Sequence, residues 1–171
     1  MRCRETCFLK KVWAVLKSPW LTWVSSIAVG AVFLFASYHK IADPPDFVKS
    51  IHNYCIVPGE LVNLAAIYMP WFEAIAGFCL LVGILRRGSA LGLGLLSLVF
   101  TVVLSYNLAR GHPTICGCFG KFADGAAWTD EIKFAKMRRE IYLDVALVLL
   151  SAQILVGSSV RREKLEAEPE L

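Results

Sequence analysis

Four apolar runs divide the chain, at residues 18–38, 61–85, 88–109 and 141–160. Glu73 is the single charge in the second run and Asp144 the single charge in the fourth. The runs are continuous rather than alternating, which points to helices and not strands. Each is close to the roughly 20 residues that a helix needs to cross a bilayer. The pattern predicts an all-α integral membrane four-helix bundle occupying residues 18–160, with helices over about 18–40, 61–85, 88–109 and 141–160. Residues 1–17 and 161–171 are left as charged tails. Two shorter amphipathic stretches lie between the spans. Phe47, Val48, Ile51 and Tyr54 share one helical face, and residues 129–139 open with Thr129 as a helix cap and Asp130 and Glu131 in the first turn. Both are expected to be short interfacial helices in the two extracytoplasmic loops.

Composition agrees. Hydrophobic residues make up 57% of the 171, and the mean hydropathy of +0.57 is too high for an ordinary soluble domain. The first run has a basic flank, Lys10, Lys11 and Lys17, but it is too long for a signal peptide and no small-residue cleavage site closes it. It is therefore expected to stay as a span. The net charge of +4 is mainly a topology signal. Arg2, Arg4, Lys10, Lys11 and Lys17, the connection Arg86-Arg87, and Arg161, Arg162 and Lys164 share one side of a four-span chain. The positive-inside rule makes that side cytoplasmic, in the inner (plasma) membrane. Lys133, Lys136, Arg138 and Arg139 oppose this reading, interleaved with Asp130, Glu131 and Glu140. No basic face alternates with exposed aromatics, so the lipid bilayer, not nucleic acid, is the expected partner.

The longest polar stretch, residues 110–140, carries Cys116-Gly117-Cys118-Phe119-Gly120. A thiol pair can exchange two electrons as dithiol and disulfide. Closing so short a ring needs a bent backbone, which Gly117 permits. A structural staple would gain little from so small a loop, which favours a labile, redox-active pair over a static one. Cys55 falls on the same side in this topology and is a tentative third member. Lys121 and a protonated His112 would favour a thiolate. Cys3 and Cys7 are expected to be reduced cytoplasmic thiols, and Cys79 an inert one in an apolar span. His112, Cys116 and Cys118 do not have the usual zinc spacing, although two thiolates would suit Cu(I); no metal is expected.

Inside the spans, Pro70-Trp71-Phe72-Glu73 puts an ionisable group in a proline-interrupted helix. Lys40, at the end of the first span, is its natural partner if the outer halves of the first two spans pack together. Asp144 is expected in the headgroup region at the outer end of the fourth span. The small residues Gly88, Ser89, Ala90, Gly92 and Gly94 suit close helix packing.

Taken together, the chain resembles the DoxX-like superfamily of four-helix membrane proteins, and within it the MauE (methylamine-utilisation) branch. The residues that carry the resemblance are Ser37-Tyr38-His39-Lys40-Ile41-Ala42-Asp43, the stretch from Tyr54 to Pro58, Pro70-Trp71-Phe72-Glu73 with Gly77 and Leu80-Leu81-Val82-Gly83, and the Cys-Gly-Cys motif. The resemblance implies disulfide chemistry outside the cytoplasm, with Cys116 and Cys118 as the redox pair and methylamine metabolism as one setting. Lys40 and Glu73 match it as positions of undefined role, tentatively cofactor-binding. A quinone is the cofactor it suggests, with Glu73, Tyr38 or Trp71 as lining. The expected function is thiol–disulfide exchange with an extracytoplasmic client or thioredoxin-like protein. The alternatives are a non-catalytic assembly or maturation factor and a quinone-coupled oxidoreductase subunit.

Overall fold

A computed structural model describes residues 18–53, 58–112 and 129–166. Among these residues there are five helices and no strand: α1 (Pro19–Ala42), α2 (Pro44–Asn53), α3 (Gly59–Val82), α4 (Arg86–Ala109) and α5 (Asp130–Glu166). Four of them are long and apolar enough to cross a membrane. A 24-residue helix such as α1 is about 36 Å long, enough for a hydrocarbon core of about 30 Å.

Packing fixes which ends lie together. Thr22 of α1 meets Gln153 of α5, and the Arg87 guanidinium at the start of α4 donates to the Ser158 carbonyl near the end of α5 at 2.6 Å. At the opposite end Leu104 of α4 packs on Met137 of α5, and Phe47 and Ile51 of α2 pack on Val62 and Ala66 of α3. The spans therefore alternate in direction. A central core of Val29, Phe33, Leu80, Leu93, Leu147 and Ile154 draws on all four. Large apolar side chains such as Trp20, Ile67, Ile75, Val102 and Leu149 face outward, as a lipid-facing surface requires.

Lipid tails are as apolar as the helices, so close contact between spans depends on small residues. A Cβ on Gly30 of α1 would lie 2.8 Å from the Gly77 carbonyl oxygen of α3, so these helices touch backbone to backbone. Gly30→Val should cost about 1–3 kcal/mol through overpacking. Gly88→Ala, with open space around it, should be neutral or slightly stabilising. Thermal unfolding in detergent compares the two, and equal midpoints would rule out the tight α1–α3 contact.

Two boundaries differ from the sequence reading. The α3–α4 turn is Gly83-Ile84-Leu85, not Arg86-Arg87. Gly83 ends α3 at φ 86°, where its N–H donates to the Cys79 carbonyl, and Leu85 precedes α4 at φ 52°. Both arginines then lie in the first turn of α4, with Arg86 stacked 4.0 Å over the Trp23 ring. Residues 130–139 are not a separate interfacial helix but the opening turns of α5. No glycine or proline interrupts 129–139, so backbone hydrogen bonding continues where apolar composition begins. The stretch after the double proline does form a helix, α2, whose apolar face packs on α3.

Candidate functional site

The buried faces of α1 and α3 each carry one charge. On α1 the sequence Val29, Phe33, Ala36, Lys40 follows helical spacing and is buried throughout; on α3 the matching face is Val62, Ala66, Pro70, Glu73, Leu80. A lysine and a glutamate are thus turned into the protein by the same periodicity that builds the core. Lys40 Nζ donates to both carboxylate oxygens of Glu73, at 2.6 and 2.7 Å. Lys40 is 4% exposed and Glu73 is not exposed at all. Phe47 of α2 and Phe100 of α4 present their rings 5.2 and 5.4 Å from the ammonium. The helix after the double proline therefore covers the ion pair with an aromatic ring.

A partly enclosed cavity of about 20 Å³ adjoins the pair, room for a single water. Its polar lining is Lys40, Glu73, Ser97 of α4 and Asp144 of α5. Ser97 is 1% exposed, and its hydroxyl has no hydrogen-bond partner among the described residues. Asp144 is also buried and lines the cavity with Lys40 and Glu73. Glu140, one turn earlier on α5, is buried, its Oε2 has no partner among the described residues, and Lys136 and Arg139 lie within about one turn of it.

Asp144 was expected in the headgroup region, yet it points into the bundle. The reason is register: Glu140, Asp144, Leu147, Ser151 and Ile154 recur at spacings of three and four, so Asp144 shares the core face of α5. Ser97 and Glu140 were not singled out from the sequence. That same periodicity, applied to polar as well as apolar positions, is the signal that finds them.

Cys55, Cys116, Cys118 and Lys121 lie outside the described residues, as do Cys3 and Cys7. Their flanking helices are described. The segment holding Cys55 joins α2 to α3, and the segment holding Cys116 and Cys118 joins α4 to α5. Both connections leave the end of the bundle at which Lys40 terminates α1. His112 is exposed at that end. Cys79 is a free, partly buried thiol on α3.

The quinone expectation meets a geometric difficulty. Tyr38 and Trp71 are 68% and 56% exposed on the outside of the bundle, so they do not converge with Glu73. Lys40 directs two of its three N–H donors at Glu73, and the adjoining cavity is far smaller than a quinone ring. A quinone does not fit there.

Residues 18–157 match the family described as methylamine utilisation protein MauE. The chain is 30% identical over 106 residues to methylamine utilization protein MauE of Methylophilus methylotrophus, covering 61% of this chain and 56% of that protein. It is 26% identical over 109 residues to the protein of the same name from Methylorubrum extorquens, covering 63% and 59%. The chain thus aligns with little more than half the length of these relatives. No solved structure matches it.

Proposed function

The chain belongs to the MauE family of multi-pass membrane proteins, and from that premise we propose that it exchanges disulfides with proteins outside the cytoplasm through Cys116 and Cys118. The observation that carries this reading is the common exit of the two cysteine-bearing connections, α2 to α3 and α4 to α5, from one end of the bundle. Both termini are cytoplasmic in this proposal and the cysteines face the oxidising side, following the placement of lysine and arginine. Methylamine utilisation, the process named for the two relatives, is the proposed setting.

A client thiolate attacks one sulfur of the Cys116–Cys118 disulfide and forms a mixed disulfide; the second client thiolate then displaces it. The client leaves oxidised and the pair is left as a dithiol carrying the two electrons. A thioredoxin-like protein with an oxidised dithiol restores the pair by the same exchange, and the reverse direction follows if the potentials are reversed.

Thiol trapping of the full chain in membranes, against a glutathione and dithiothreitol series, tests the proposal. A reversible pair with a midpoint above about −250 mV is expected, among exchange-active disulfides. A pair that is always reduced, or resists reduction below about −300 mV, would overturn it in favour of a non-catalytic assembly factor.

A further inference from the structure

We infer that the buried cluster of Lys40, Glu73 and Asp144 is a proton-exchange site, in which Asp144 holds a proton that it trades with the cysteine-bearing end of the bundle by way of Glu140. The inference does not rest on the disulfide reading.

Charge balance is the first support. Titratable groups reach this region from three helices. Lys40 comes from α1, Glu73 from α3, and Asp144 and Glu140 from α5 with Lys136 and Arg139 beyond them. Among the described contacts, α4 brings Ser97 and Phe100 and α2 brings Phe47 to the pair. Lys40 is matched by Glu73 in a two-oxygen contact, and Lys136 and Arg139 lie within about one turn of Glu140 on α5. Asp144 forms no hydrogen bond or ion pair with another described residue, and Lys40, the cation that lines the same cavity, is already paired with Glu73. An ionised, uncompensated carboxylate inside a membrane bundle is expensive, whereas the neutral acid is not.

Unsatisfied polar atoms are the second support. A hydroxyl as buried as that of Ser97, lining a cavity sized for one water, needs a partner. A water there can join Ser97 to the acid and the ion pair. Glu140 Oε2 is a further buried oxygen without a partner among the described residues. Lys136, Glu140 and Asp144 are successive steps of four on α5, about 6 Å of rise per step. Lys136 is half-buried, so this ladder runs from a partly exposed cation to the enclosed acid. The proton moves from water at the helix end to Glu140, then to Asp144, with each carboxyl neutral while it carries the proton.

Infrared difference spectroscopy of the full chain in phosphatidylcholine vesicles, in H2O and D2O near neutral pH, reads the site. A protonated-carboxyl band is expected that shifts on deuteration, disappears in Asp144→Asn and persists in a Cys116→Ser/Cys118→Ser variant. Glu140→Leu should slow the exchange about tenfold, equivalent to about 1.4 kcal/mol of added barrier. If Asp144→Asn does not assemble, Asp144→Glu keeps the acid and should move the band. No protonated band, a band indifferent to both Asp144 variants, or an exchange rate unchanged in Glu140→Leu would overturn the inference.

Discussion

Glu73→Gln is expected to destabilise the bundle by about 3–5 kcal/mol, the loss typical of a buried ion pair that loses one partner. The magnitude comes from what is left behind. Lys40 is 4% exposed, and one of its two carboxylate acceptors on residue 73 becomes an amide nitrogen that cannot accept. The amide oxygen of glutamine still accepts a hydrogen bond, but it supplies no charge to compensate a buried ammonium. Removing both ends, as Lys40→Met with Glu73→Leu, should restore most of the stability, because hydrophobic replacement of a whole buried pair is often neutral or better. Unfolding in mixed micelles measures the three proteins. A single-variant loss of about 1 kcal/mol or less would match a solvent-exposed pair and contradict the burial observed here.

Cys116→Ser and Cys118→Ser should each abolish disulfide exchange, whereas Cys55→Ser should leave part of it. Loss is complete for either member of the pair because neither cysteine alone can form the disulfide that the client reduces, and recharging needs one thiolate to attack and the other to resolve. One single variant keeps the attacking thiolate but lacks the resolving one, and should accumulate a mixed disulfide with the oxidised thioredoxin-like protein, seen as a heavier species on a non-reducing gel. The double variant should show none. Normal maturation of client proteins by the double variant would discard the exchange reading and leave the chain as an assembly factor. Because the infrared band of Asp144 is expected to persist in that variant, the proton site and the thiol reading can fail separately.

The two predictions draw on opposite kinds of information. Cys116-Gly117-Cys118 is legible in the sequence as a local motif, since its chemistry needs only neighbouring residues and a glycine between them. The Lys40–Glu73 pair was legible as a conditional: two lone charges in apolar runs must find partners, but the 33 residues that separate them say nothing of distance. The role of Asp144 was misread. Near the end of an apolar run, hydropathy alone favours exposure to headgroups, and only its register with Leu147 and Ile154 turns it inward. The turn at Gly83-Ile84-Leu85 was misplaced for a related reason. Two arginines mark where the apolar run ends, but a helix ends where its backbone hydrogen bonds do.

By itself, the sequence determined the number of candidate spans, their all-helical nature and the occurrence of a Cys-Gly-Cys motif between the third and fourth of them. Each of these depends on composition over a window or on adjacent residues, because a bilayer demands about 20 apolar residues with internally satisfied backbones wherever a chain crosses it. Tertiary structure alone decided which polar groups share the interior. Lys40, Glu73, Ser97 and Asp144 come from four different helices, and their meeting around one small cavity depends on rotations and axial offsets set by packing, such as the Gly30–Gly77 contact. No residue in any one of those helices carries that information, since a helix buries whichever face its neighbours cover.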